Sequence, residues 1–93
     1  MIIAVDFDGT LQLPDGSANT ALIRRLKASQ RNGDTVILWT CRTGKSLTDA
    51  LRFCSGTGFS PNLVNQNAPQ IIARMGDPRK IYADIYIDDK SMR

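Results

Sequence analysis

All nine acidic residues of this chain are aspartates, and it has no histidine, so any acid–base or metal chemistry must run through a narrow set of groups. Four aspartates stand out by position. Asp6 and Asp8 lie one residue apart in Asp6-Phe7-Asp8-Gly9-Thr10, and Asp88 and Asp89 are adjacent. Each set directly follows an apolar run, Ile2-Ile3-Ala4-Val5 in one case and Ile85-Tyr86-Ile87 in the other. Carboxylates held that close repel each other unless a cation or a proton sits between them. An adjacent pair straight after a buried strand is costly without such compensation. The pattern therefore points to a site built from oxygen ligands. Asp8-Gly9 also spells an ordinary hairpin turn, but a hairpin needs a second alternating run, and Leu11-Gln12-Leu13-Pro14-Asp15-Gly16 breaks up too soon.

The elements that must position these groups are legible from periodicity. Ile2 to Val5 reads as a short buried strand, with Asp6 at its C-terminal edge and Asp8 in the turn beyond. Pro14-Asp15-Gly16 is a turn signal. Ser17 or Asn19 is placed to cap a helix over 18–31, with Ala18, Leu22, Ile23 and Leu26 on one face and Arg24, Arg25, Lys27 and Arg31 on the other. Gly33 suits its C-terminal stop. Thr35 to Trp39 reads as a second buried strand.

A second helix is predicted over 45–55, where Leu47, Ala50, Leu51 and Cys54 recur at helical spacing, so that Cys54 is a core thiol. Leu63-Val64 suggests a third, shorter strand. Asn67 and Pro69 look like the cap and first turn of a brief helix carrying Ile71, Ile72 and Met75, stopped by Gly76-Asp77-Pro78. Ala83 to Ile87 is the last strand.

Strands alternating with helices imply right-handed crossovers and a parallel sheet in an α/β sandwich. Ligands bind such sheets at the carboxyl ends of the strands, near the topological switch point. Asp6, Thr40 and the Asp88-Asp89 pair all fall at those ends.

Composition narrows the classes further. Ninety-three residues are enough for one modest core, and the chain reads as a single domain over 1–93. Hydrophobic content of 42% and a charged fraction of 23% argue against disorder. No apolar run approaches the roughly 20 residues of a membrane span. The N-terminus lacks a basic region followed by a long apolar segment, so a cytoplasmic protein without a signal peptide is expected.

Cys41 and Cys54 have no metal-ligand spacing, which with the missing histidine excludes a zinc site and a Ser-His-Asp triad. Apart from the four site aspartates, twelve basic residues face only five acidic ones, a balance that favours an anionic partner. The same balance also suits a solvated basic surface.

Asp6-Phe7-Asp8-Gly9-Thr10 after a hydrophobic strand resembles motif I of the haloacid-dehalogenase-like (HAD) superfamily, most of whose members are phosphatases. Val36-Ile37-Leu38-Trp39-Thr40 resembles motif II, whose hydroxyl bonds a phosphate oxygen with help from backbone N–H groups in the following turn. Lys80, eight residues before Asp88, fits the motif III lysine, with Arg79 and Lys90 as neighbouring candidates. Asp88-Asp89 resembles motif IV, the acidic pair that holds Mg²⁺.

The resemblance covers nearly the whole chain. It implies a HAD-like Rossmannoid three-layer sandwich with a central parallel sheet of about four strands. The gaps between the motifs leave no room for the family's cap domain. It implies a Mg²⁺-dependent phosphomonoesterase working through an aspartyl-phosphate on Asp6, with Asp8 as acid and base. Mg²⁺ would be held by Asp6, the Asp8 carbonyl and Asp88, with Asp89 acting through water. Thr40 and the N–H groups around Phe7, Asp8 and Cys41 would cradle the phosphoryl group, Lys80 would offset its charge, and Arg42 stands near enough to touch substrate. An open site would admit bulky or macromolecular phosphates, or be closed by a second subunit.

Two rival readings differ in kind. Trp39-Thr40-Cys41-Arg42-Thr43-Gly44-Lys45-Ser46 ends as a nucleotide-binding P-loop does, but Trp39 stands where the first glycine is needed. A non-catalytic domain that binds Mg²⁺ or phosphate would instead contact nucleic acid or protein through its basic surface, although no nucleic-acid motif supports it.

Overall fold

The structure is a computed structural model that describes residues 1–77 and 80–90. Pro78 and Arg79, named above as a helix stop and an alternative cation, lie outside the described residues. Along the chain run β1 (Ile2–Val5), α1 (Thr20–Arg31), β2 (Thr35–Leu38), α2 (Gly44–Gly56), β3 (Leu63–Val64), α3 (Pro69–Met75) and β4 (Ile85–Ile87). The strands form one all-parallel sheet in the order β3-β2-β1-β4. This is the α/β sandwich expected from the alternation of periods.

The direction of the sheet decides where each helix goes. From β1 to β2 to β3 the chain steps one way, and α1 and α2 share a face. There Leu22, Ile23 and Leu26 of α1 and Ala50 and Cys54 of α2 pack on Ile3, Val5, Val36 and Leu38. The step from β3 to β4 crosses back over β1 and β2, so a crossover of the same hand must pass behind the sheet. Ile71 of α3 accordingly packs on Ile2, Ala4 and Ile37. The sheet is thus covered on both sides, and its order reverses between β1 and β4. That is the switch point.

Asn19 is the cap of α1, its side-chain oxygen accepting from the Leu22 N–H at 3.3 Å. Cys54 is buried in the core, and burial pushes its thiol pKa up. Three local expectations are corrected. β2 ends at Leu38, and Trp39 emerges 41% exposed, since no helix covers the sheet at that point. Asn67 does not cap α3, whose cap position is Ala68. It is buried instead, accepting from the Tyr82 N–H at 2.7 Å and donating to the Lys80 carbonyl at 3.3 Å, which ties down the segment that leads into β4. β4 starts at Ile85 rather than Ala83, because the Ala83 N–H donates to the Tyr86 hydroxyl at 3.1 Å.

Candidate active site

At the carboxyl ends of β2, β1 and β4 lies an open cleft of about 480 Å³, lined by Asp6, Trp39, Thr40, Cys41, Asn65, Ile81, Asp88, Asp89 and Lys90. A separate groove of about 340 Å³ between α1 and β4 is lined by Leu22, Leu26, Ile85 and others, with none of the four site aspartates. The carboxylate cleft is therefore the candidate site.

Asp6 extends β1 by one hydrogen bond, its N–H donating to the Ile87 carbonyl at 2.9 Å. This locks the first carboxylate beside the end of β4, where Asp88 and Asp89 follow. Partial burial raises the Asp6 pKa above its ordinary value, and the negative charges of Asp8, Asp89 and Asp88 push the same way. The Phe7 N–H opposes them, donating to Asp6 Oδ1 at 2.8 Å. That amide, expected to meet a phosphate oxygen, is engaged with Asp6 in this structure. Gly9 makes the turn possible: its φ is +78°, and a Cβ there would lie 3.4 Å from the Asp89 Cβ. The turn after β1 and the acidic pair after β4 thus approach backbone to side chain.

Asp8 lives in a different environment. Arg42 grips its carboxylate in a two-pronged ion pair, Nη2 to Oδ1 at 2.8 Å and Nε to Oδ2 at 3.0 Å. These charge-assisted bonds hold the Asp8 pKa below its ordinary value. Arg42 is itself seated, its guanidinium 4.8 Å from the centre of the Phe7 ring and Nη1 donating to the Ser46 carbonyl at 3.0 Å.

Thr40 stands opposite, at the end of β2. Asn65 clamps its backbone, accepting from the Thr40 N–H at 2.8 Å and donating to the Thr40 carbonyl at 2.9 Å. Asn65 holds a left-handed conformation, φ 51°, which asparagine tolerates better than most residues. The Thr40 hydroxyl accepts from the Arg42 N–H at 3.2 Å.

The structure thus brings together Asp6, Thr40, Cys41, Asp88 and Asp89 around one cleft, with Asp8 and Arg42 linked to it through Asp6 and Thr40. It does not bring in Lys80, which is exposed and absent from the cleft lining, whereas Lys90 lines it. The reason is local: residue 80 sits in the strap that Asn67 pins on the α3 side, while Lys90 turns over Asp88, its N–H donating to Asp88 Oδ1 at 2.9 Å. Lys45, the P-loop candidate, instead lies 3.4 Å from Asp49 on the exposed side of α2.

Among the described residues, no three acidic or cysteine side chains are arranged to hold a metal ion as they stand. The donor set nevertheless fits a hard divalent cation in its chemistry. It offers only oxygens, and Asp6 is a carboxylate whose ionisation its acidic neighbours oppose. Trp39, Ile81 and Asn65 were not singled out for this site by their sequence. A position just past a strand end on the carboxyl side of the sheet is the signal that would have found Trp39 and Asn65.

Among solved structures, a conserved protein coded by a locus of Bacteroides thetaiotaomicron is 35% identical to this chain and superposes with a TM-score of 0.79. The likeness covers 98% of this chain and 77% of that one. The chain belongs to the family of that conserved protein. No protein-family model matches the chain, and no curated protein matches it. Membership in the family carries the parallel α/β fold and assigns no reaction. Among the described residues, no helix is long and apolar enough to cross a membrane.

Proposed function

We propose that the protein is a Mg²⁺-dependent phosphomonoesterase of the HAD type, with Asp6 as its nucleophile. One observation carries the reading: Asp6 and the Asp88-Asp89 pair line one cleft with the Thr40 backbone clamp, at the point where the sheet order reverses. That is where parallel α/β sheets bind ligands.

In this reading an Asp6 oxygen attacks phosphorus, forming an aspartyl-phosphate as the bond to the ester oxygen breaks. Asp8 gives its proton to the departing alkoxide. It then takes a proton from the water that attacks the aspartyl-phosphate, returning Asp6 and releasing phosphate. Thr40 and the backbone beside it orient the phosphoryl oxygens. Lys90, which lines the cleft, is better placed than Lys80 to offset their charge. Asp6, the Asp8 carbonyl and Asp88, with Asp89 behind them, would hold Mg²⁺, which supplies positive charge against both the phosphate and the nucleophile.

The surroundings pull both carboxylates the wrong way for the reaction. Burial and the neighbouring aspartates disfavour the ionised form of Asp6 that attacks, and Arg42 disfavours the protonated form of Asp8 that donates. A bound cation relieves the first. A substrate phosphate that competes for Arg42 relieves the second.

The test is release of inorganic phosphate from 4-nitrophenyl phosphate, nucleotides and 3′- or 5′-phosphorylated oligonucleotides, with Mg²⁺ or with EDTA. Turnover that needs Mg²⁺ and disappears in Asp6→Asn is the expected result. Equal inertness of wild type and variant would sink the catalytic reading. A non-catalytic reading has one feature in its favour: Arg24, Lys27 and Arg31 line a groove of about 290 Å³ along α1, a surface suited to an anionic partner. It predicts that partner affinity survives Asp6→Asn intact.

A further inference from the structure

Trp39 is the feature of the cleft that phosphate chemistry does not use. It is the single tryptophan of the chain, and it remains 41% exposed at the rim of a site otherwise built from carboxylates and amides. An exposed indole alone needs no explanation. This one is fixed rather than loose. Its backbone N–H donates to the Val5 carbonyl at 2.8 Å, which keeps it in line with β1 directly beside Asp6. Its ring meets the Tyr86 ring edge-on, with centroids 5.7 Å apart and planes at 68°.

Tyr86 is held in turn. Its hydroxyl donates to the Ile81 carbonyl and accepts from the Ala83 N–H, so the edge that supports the indole is tied to the strap entering β4. The next residue after the indole, Thr40, is clamped on both sides of its peptide by Asn65. Trp39 and Ile81 are the large apolar side chains in the cleft lining. A rigid aromatic surface thus stands two strand ends away from the acidic pair and next door to the proposed nucleophile.

We infer that Trp39 is a stacking platform for a flat aromatic ring carried by the phosphate ester, so that the substrates are aryl or nucleoside phosphates rather than phosphates of aliphatic alcohols or sugars alone. The inference rests on reading the cleft as a phosphate-ester site. Stacking suits an open cleft, because an aromatic face gives affinity without an enclosing pocket. A fixed ring also loses little conformational freedom on binding.

The single indole reports on its own occupancy. Asp8→Asn, which removes the proposed acid and base but keeps Asp6, Asp88 and the residue 8 carbonyl for Mg²⁺, is titrated in Mg²⁺ with AMP, phenyl phosphate, ribose 5-phosphate and inorganic phosphate while the tryptophan fluorescence is followed. Saturable quenching by AMP or phenyl phosphate but not by the other two is expected. AMP alone would assign a nucleobase, and both would assign any aryl group. Equal responses to all four compounds, or none to any, would overturn the inference.

Kinetics give the second arm. The ratio of kcat/KM for AMP to that for ribose 5-phosphate should fall about 10- to 100-fold in Trp39→Leu and largely recover in Trp39→Phe. An unchanged ratio in an active enzyme overturns the platform and leaves the phosphatase reading standing. Selective quenching in a protein that turns over no phosphate ester does the reverse. If Trp39→Leu does not fold, the quenching experiment decides alone.

Discussion

The two faces of the sheet are finished differently. Towards α1 and α2, helices of twelve and thirteen residues cover the strands to their ends, and Val5, Val36 and Leu38 are fully buried. Towards α3, a seven-residue helix covers only the N-terminal part of the sheet. The rows of side chains on this face run from Ala4 of β1 to Asp6 just past it, from Ile37 of β2 to Trp39 just past it and from Tyr86 of β4 to Asp88 just past it. The first member of the first two rows is buried under α3, and the second member of each row emerges into the cleft. The site is the place where one face runs out of cover. A short helix does the positioning by leaving that end of the sheet uncovered.

The largest expected effect comes at that open end. Asp6→Asn should lower phosphate release at least about 1000-fold, as removal of a nucleophile does. The same change should raise the thermal midpoint without Mg²⁺, because the amide removes a partly buried charge that three other carboxylates repel. The sign follows from the raised pKa. Ionised Asp6 opposes folding at neutral pH, and the penalty fades as pH falls through its folded pKa. A thermal melt of the two proteins at pH 7 and near pH 4 checks it, the gap narrowing at the lower pH. A lower midpoint for Asp6→Asn at pH 7 would break the contrast between a sealed and a strained face.

Leu38 and Trp39 give the sharpest stability comparison, since the last residue of β2 and the one after it point to opposite faces. Leu38→Ala should lose about 2–5 kcal/mol in denaturant unfolding, through a cavity in the sealed core. Trp39→Leu should lose no more than about 1.5 kcal/mol, the worth of its edge contact with Tyr86. Equal losses would mean that the two faces are packed alike.

Much of this was legible in the sequence. Apolar runs of four and three residues ending in charge marked β1 and the acidic pair, and the alternation of periods implied the layered parallel sheet. The residues it missed share one cause. Trp39 continues an apolar run, so it reads as strand, and only the absence of a helix above it makes it surface. Asn67 precedes a Pro-started helix and reads as a cap, but a peptide 15 residues downstream claims its side chain. Asn65 carries no local pattern, because its partner is 25 residues away. Lys80 against Lys90 is the same difficulty: spacing along the chain does not say which way a strap turns at the end of a strand.

Magnesium should act on the open end alone. Millimolar Mg²⁺ at about 100 times its dissociation constant would stabilise the wild type by about 2.7 kcal/mol. Asp88→Asn, which removes one proposed ligand, should lose most of that increment while melting no lower than wild type in EDTA, since it also relieves repulsion on Asp6. Thermal shift with Ca²⁺ and Na⁺ as controls reads the difference. An increment that survives in both Asp6→Asn and Asp88→Asn would place the ion elsewhere.

The smallest effect tests the join between the two faces, where Arg42 rests on Phe7 and α2 yet holds Asp8 at the site. The Asp8 side chain is 59% exposed, so the pair should contribute under about 1 kcal/mol to stability. Its sign is that of a depressed carboxylate. The contribution is present above the ordinary aspartate pKa and lost as pH falls through the lower folded value. Wild type and Arg42→Gln should therefore differ slightly at pH 7 and converge in strong acid. The pH profile of kcat/KM is the more telling readout. If Asp8 must be protonated in the free enzyme, the limb on which activity falls with rising pH reports its pKa. Removing Arg42 lets that pKa rise, so the limb should move to higher pH even as overall activity drops. A limb that stays in place would separate Arg42 from the proton transfer and leave it as a phosphate ligand only.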